Sequence, residues 1–225
     1  MESLPATASC ADACVQLGVP LRVGPVALGP IDPAWRVHGP ARPVRHLGSV
    51  DVFLEACEDM SAGEVLVIDD SGRTDRACAG DLTALEVKGA GGAGIVVWGC
   101  HRDTAQLLEV ALPVFSLGAV PNGPAGVEPA SPDAVPHLGE HAVERGDVVV
   151  GDADGVILLP GDRAEEIVRA AAGIAATETA QADVMRAGTS LREQLDFKAF
   201  LGERDRNPAY TLRDHLKTRG GAIER

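Results

Sequence analysis

The sequence predicts a mixed α/β fold in layers, with a helix at its N-terminus and a long helix near its C-terminus. Three observations predict it. Short apolar runs alternate with helical stretches through the middle of the chain. Two further apolar runs then follow one another directly. Last comes the longest helical pattern, Asp162–Arg186, with acids in its first turn and apolar residues at three- and four-residue spacing. Alternation in the middle, consecutive strands and a closing helix together indicate layers of helices on a mixed sheet.

Taken in order, Ala6–Leu17 carries Ala and Cys at helical spacing and is ended by Gly18-Val19-Pro20. Residues Pro20–Pro33 are rich in Gly and Pro and read as a loop. The run Trp35–Val44 is an interrupted strand whose prolines belong at an edge or bulge. Ser49 is placed to cap a helix through Met60. Glu64–Asp69 is a compact apolar strand, Asp81–Lys88 a helix, and Gly89–Gly94 its glycine-rich exit into the strand Ile95–Trp98. Thr104–Val110 is helical, Pro113–Leu117 a strand, and Pro121–Pro136 a second Pro/Gly loop. His141–Val150 and Gly155–Leu159 read as strands around the turn Gly151–Gly155. Beyond Gly188-Thr189-Ser190, which punctuates the long helix, a polar tail remains.

Bulk properties exclude several classes. With 225 residues and 45% hydrophobic composition, the chain can bury one substantial core. A formal charge of -13 opposes a phosphate-backbone partner and so argues against nucleic-acid binding. No run approaches the ~18 apolar residues of a membrane span. The N-terminus has no basic region followed by an apolar one, so a cytoplasmic location is expected. Five cysteines without CxxC spacing read as buried small hydrophobes, and zinc is not expected from that pattern.

The stretch Gly89–Gly94 matches G-x-G-x-x-G, but it follows a helix and precedes a strand. A dinucleotide loop needs the opposite order, so a glycine C-cap and tight turn is the better reading. Gly80-Asp81-Leu82-Thr83 opens a helix, where free backbone N–H groups suit a carboxylate, although Asp81 alone also reads as an N-cap. Arg102-Asp103 follows a strand, at the end where open α/β sheets place ligands. Arginine can grip a carboxylate with two hydrogen bonds, and a lone aspartate with waters suits Mg²⁺ or Mn²⁺. Taken alone, that pair reads equally as a solvated cap. Asp69-Asp70 and Asp152/Asp154 are read as turn chemistry.

Gly80-x-Leu82, nineteen intervening residues and then Arg102-Asp103 resembles the signature of the class II pyruvate aldolases of the 4-hydroxy-4-methyl-2-oxoglutarate/4-carboxy-4-hydroxy-2-oxoadipate type. Their superfamily also holds the RraA-like regulators of ribonuclease E. The stretches His38–Val44, Gly146–Val156 and Arg186–Leu191 match as well, so the resemblance spans about residues 7 to 195. It implies an αββαβ-type layered sandwich over residues 1–195, with 196–225 as an extension packing on the domain or a neighbour.

By the same resemblance the chain cleaves a 4-hydroxy-2-oxo acid to pyruvate through a metal-stabilised enolate, with oxaloacetate decarboxylation as a side activity. Gly80 and the backbone amides of Leu82 and Thr83 would bind the pyruvyl group, Arg102 would neutralise its oxygens, and Asp103 would hold Mg²⁺ or Mn²⁺. Asp81 would order a water that serves as base, and Glu178 would enter the site of an adjacent subunit in a homotrimer or dimer of trimers. Glu178 reads equally as a solvated helix acid. Thr83 and His101 depart from the family pattern; His101 is open between touching substrate and packing behind the site. The alternatives are a protein-binding regulator of a ribonuclease, and a related lyase or hydratase acting on another oxoacid.

Overall fold

In the computed structural model, which describes residues 5–127 and 135–217, the apolar runs become strands of one sheet. From the N-terminus the elements are α1 (Thr7–Gln16), β1 (Gly29–Pro30), β2 (Val37–Arg45), α2 (Asp51–Glu58), β3 (Val65–Asp69) and β4 (Ala77–Ala79). Next come α3 (Asp81–Gly89), β5 (Gly94–Trp98), β6 (Cys100–His101), α4 (Thr104–Val110) and β7 (Val114–Ser116). They are followed by β8 (His137–Leu138), β9 (His141–Ala142), β10 (Val148–Asp152) and β11 (Gly155–Leu159). Four helices end the series: α5 (Ala164–Arg186), α6 (Leu191–Gln194), α7 (Phe197–Arg206) and α8 (Leu212–Leu216).

Seven strands order as β1-β7-β5-β3-β2-β10-β11. The four in the middle, β7, β5, β3 and β2, run parallel, whereas β1 and the β10–β11 hairpin pair antiparallel. Residues 22–30 nearly close the sheet. At one end Gly24 N–H donates to Val156 O (2.8 Å) and Leu158 N–H to Arg22 O (2.9 Å); at the other, Gly29 pairs with Ser116. The predicted loop Pro20–Pro33 is therefore a seam between β11 and β7.

Period-two alternation divides the side chains of this curled sheet. Val65 and Val67, Val96, Phe115, Val149, Val156 and Leu158 fill its inside. Leu66, Ile68, Ile95, Val97 and Val114 face outward onto α2, α3 and α4. Val150, Ile157 and Leu159 turn outward onto α1 and α5. The structure is thus a mixed α/β fold, and β3 is buried on both faces because helices cover one and the curled sheet encloses the other. Little room is left inside: a Cβ on Gly151 would lie 2.8 Å from Val37 and 3.0 Å from the Phe115 ring.

Four expectations need correcting. The strand β2 is interior, not an edge, yet Pro40 and Pro43 fall where it has one partner: Pro40 lies opposite Val148 of β10, and Pro43 opposite Val67 of β3. Ser49 does not cap α2, whose N-cap is Val50 without a side-chain bond. His141–Val150 is two strands, because Asp147 accepts from Glu144 N–H (2.9 Å) and folds the chain into a turn between them. The polar tail folds into α6–α8, started by the capping boxes Ser190/Glu193 and Thr211/Asp214 and centred on buried Phe200, His215 and Leu216. Residues 128–134 of the second loop and 218–225 of the extension lie outside the described residues.

Other expectations hold. α3 ends at Gly89, and Gly91 (φ 87°) turns the chain into β5, as a glycine exit requires. Ala153-Asp154 forms a two-residue hairpin turn between β10 and β11. Asp152 itself is buried within β10 and accepts from Thr7 N–H (2.9 Å) and Thr7 Oγ1 (2.6 Å), which anchors α1.

Candidate active site at the Gly80–Arg102–Asp103 junction

Beyond the C-terminal ends of β3 and β5 the chain adds a second small parallel pair, β4 with β6. This pair sets the site. Each of its strands runs directly into a helix: β4 into α3 through Gly80, and β6 into α4 through Arg102-Asp103. Arg102 N–H donates to Ala79 O (3.0 Å), which locks the two exits side by side. His101 N–H donates to Gly118 O and Val120 N–H to His101 O (2.9 Å each), so the chain after β7 supports the same platform.

Sequence spacing is converted here into contact. A Cβ added to Gly80 would lie 2.5 Å from Asp103 Oδ2 and 3.3 Å from Arg102 Cγ. Gly80 has extended backbone (φ −147°) that any residue can adopt. Its absence of a side chain therefore makes room for Asp103, and is not a device for an unusual turn.

Asp103 has left-handed backbone (φ 59°, ψ 41°), a strained conformation that non-glycine residues seldom occupy. It stands at the N-cap position of α4 but makes no capping hydrogen bond. The cap reading is therefore set aside, and the carboxylate is turned toward Gly80 and Arg102. Arg102 Nε lies 3.2 Å from Asp103 Oδ2, with the two side chains 49% and 36% exposed. An ion pair that open contributes about 1 kcal/mol or less to stability, so Arg102 can be redirected to a ligand at little cost. The loop after β7 closes over the guanidinium, since a Cβ on Gly123 would meet Arg102 Nη1 at 3.2 Å.

On the facing side, α3 presents its first turn. Asp81 Oδ1 accepts from Leu82 N–H (2.8 Å), while Thr83 N–H has no acceptor among the described residues. A ligand carboxylate can use the Thr83 amide directly, but it must displace Asp81 to use that of Leu82. The Leu82 side chain is 74% exposed beside this turn.

His101 points away from solvent. It is buried, with Nδ1 2.7 Å from Ser116 Oγ and Nε2 3.0 Å from Thr104 Oγ1. Burial pushes its pKa below the usual imidazole range. Both ring nitrogens are thus engaged in bracing β6 against β7 and α4, which is the packing reading. Glu178 is exposed on α5, a helix that packs on α1, and it makes no hydrogen bond or ion pair among the described residues. Within one chain, then, Gly80, Asp81, Leu82, Thr83, Arg102 and Asp103 come together around two helix starts, and Glu178 stands apart from them.

The donor set fits a hard divalent cation. Asp103 offers a carboxylate open to water, held against a backbone cradle that any side chain at position 80 would fill. One carboxylate plus waters is the pattern Mg²⁺ and Mn²⁺ accept. Lys88, at the far end of α3, hydrogen-bonds Val110 O and is remote from these groups. No helix among the described residues is long and apolar enough to cross a membrane.

One cluster was missed in the sequence. His46, Asp70 and Cys78, all buried, bring one potential ligand atom each within 4.8 Å of one another. His46 and Asp70 directly follow β2 and β3 and Cys78 is the middle residue of β4, so the three are brought together only by the pairing of strands far apart in the chain. All five cysteines are free and buried, as expected, but Cys78 has polar company.

Comparison with known proteins gives the family. Residues 7–158 match the family described as RraA-like: Aldolase/RraA. A protein of Halalkalibacterium halodurans, provisionally named 4-hydroxy-4-methyl-2-oxoglutarate aldolase, is 32% identical over 143 residues, covering 63% of this chain and 68% of its own. A crystal structure of Streptomyces coelicolor RraAS2, titled an unusual member of the RNase ES inhibitor RraA protein family, superposes with a TM-score of 0.67 at 29% identity, covering 80% of this chain and 93% of that one. An uncharacterized protein from Pseudomonas syringae pv. tomato has a TM-score of 0.71 at 24% identity, over 84% and 92% of the two chains, and speaks for the fold alone. The chain belongs to the RraA-like, Aldolase/RraA family.

Proposed function

We propose that the chain is a divalent-metal-dependent lyase that cleaves a 4-hydroxy-2-oxo acid by retro-aldol reaction to release pyruvate, and that decarboxylates oxaloacetate as a side activity. One observation carries this reading: the atoms nearest the space that Gly80 leaves belong to Asp103 and Arg102, so the two halves of the aldolase-like signature meet. The aldolase name of the Halalkalibacterium halodurans relative supports it.

When bound at Asp103, Mg²⁺ or Mn²⁺ would supply Lewis acidity toward the substrate's carboxylate and 2-oxo oxygens. Arg102 neutralises the charge that develops on the 2-oxo oxygen as the carbon–carbon bond breaks. The Thr83 amide, and the Leu82 amide once Asp81 swings away, orient the carboxylate at the positive end of α3. Asp81 then orders the water that takes the proton from the C4 hydroxyl and returns one to C3, so that the enolate leaves as pyruvate. Oxaloacetate loses CO₂ to give the same pyruvyl carbanion, so Arg102 serves both reactions. Glu178 serves the site of a neighbouring copy in a homotrimer or dimer of trimers; exposed Leu82, Leu85 and Leu108 on α3 and α4, the two helices that start at the site, support a covered face. Residues 196–225 are a C-terminal extension of the domain, and its described part, 196–217, packs on the domain or a neighbouring copy.

The test is a panel of oxaloacetate and 4-hydroxy-2-oxo acids, with pyruvate release followed in Mg²⁺, Mn²⁺ and chelator. Turnover that appears with metal and vanishes with chelator supports the assignment; no pyruvate from any member contradicts it. A second reading, a protein-binding regulator of a ribonuclease, is favoured by the likeness to RraAS2 and by the acidic charge of -13. Inhibition of a ribonuclease by a chain that turns over no oxoacid would establish that reading instead.

A further inference from the structure

We propose a second metal site, for a borderline-soft divalent ion such as zinc, formed by His46, Asp70 and Cys78 beneath the platform that carries Gly80. Their ligand atoms all lie within 4.8 Å of one another, and His46 Nδ1 is 2.9 Å from Asp70 Oδ1. His46 and Asp70 side chains are each 1% exposed. Asp70 Oδ2 has no hydrogen-bond partner although it is fully buried. A carboxylate oxygen left in that state is destabilising, and a cation held between it and its two neighbours removes the cost.

The surroundings hold these donors rigidly. The His46 ring stacks on Phe53 at 5.3 Å, and His46 N–H donates to Asp69 O. Asp70 N–H donates to Trp98 O (3.1 Å), and Gly99 leaves space for its carboxylate, since a Cβ there would lie 3.2 Å from Oδ2. Arg76 Nη2 is 3.4 Å from Asp70 Oδ1, so the guanidinium shares one carboxylate oxygen and leaves the other to the ion. Imidazole, carboxylate and thiolate together are a zinc-type donor set, unlike the all-oxygen Asp103 site. Cys100 lies opposite Ala77 in the β4–β6 register and outside this cluster of three, so a water would complete the coordination. Binding releases the Cys78 thiol proton to solvent.

The ion would tie the segments that follow β2 and β3 to the middle of β4, two residues before Gly80, a structural role that does not depend on the lyase reading. The full chain, purified metal-free and titrated with Co²⁺, should take up one equivalent with a thiolate-to-cobalt charge-transfer band and then exchange it for Zn²⁺. The band should disappear in Cys78→Ser and persist in Cys10→Ser and in Asp103→Asn, which removes the ligand of the other site. The isosteric Asp70→Asn, checked by circular dichroism for folding, should bind roughly tenfold more weakly or worse. Absence of a thiolate band in the unmutated chain, a band unchanged in Cys78→Ser, or unchanged affinity in Asp70→Asn would each overturn the proposal.

Discussion

At the scale of single residues, Gly80 makes the most specific claim. Because its backbone is extended, Gly80→Ala imposes no conformational strain; its effect is a methyl group 2.5 Å from Asp103 Oδ2 and 3.3 Å from Arg102 Cγ. The prediction is a thermal midpoint close to the parent with lyase turnover reduced about a hundredfold, the loss an ångström of misplacement brings. Asp103→Asn separates fold from chemistry in the same way: Asn tolerates left-handed backbone, so folding should survive while metal-dependent turnover is lost. A calorimetric scan beside a pyruvate assay checks both variants. The spacing from Gly80 to Arg102-Asp103 made this junction legible in the sequence. His46, Asp70 and Cys78 were not legible, because an Asp-Asp pair reads as a turn and a lone cysteine as core until β2, β3 and β4 are brought together. The environment of His101 was equally hidden: its partners Ser116 and Thr104 are known only once β6, β7 and α4 are packed.

At the scale of elements, the long apolar runs and the glycine exits were readable because burial and turn chemistry act locally. The C-terminal helices were overlooked because their signals are caps and not apolar faces. Ser190→Ala should therefore lower the stability of α6–α7 by about 1 kcal/mol, seen as earlier protease cleavage there and an unchanged core. The brace made by His101 predicts a pH dependence. Its folded pKa lies below the ordinary imidazole value, so its contribution is complete above the unfolded pKa of about 6.5. That contribution fades as pH falls through the lower folded value. Half-buried His38 shifts in the same direction by burial, so the informative quantity is a difference. Urea unfolding of the parent and of His101→Gln from about pH 7 to about pH 5 should show a shallower decline in the variant; parallel declines would remove His101 from the account.

At the scale of the whole molecule, the curled sheet explains why one chain carries two separate helical layers and why the site lies on an open face. The parallel strands deliver β4 and β6 to a common end, two helices start there, and Leu82 is exposed in the first turn of one of them. Closure by a second copy, with Glu178 as its contribution, makes a distinctive prediction. Arg102→Ala and Glu178→Gln chains should each be nearly inactive alone, and co-expressed they should regain measurable turnover through mixed assemblies. Mixtures no more active than their components would confine the site to one chain. The central claim is tested most directly by pyruvate release from oxaloacetate in Mn²⁺, the parent chain against Arg102→Ala. The account predicts turnover that requires the metal and falls by about 10²–10³-fold in the variant; metal-dependent turnover retained in Arg102→Ala would contradict it.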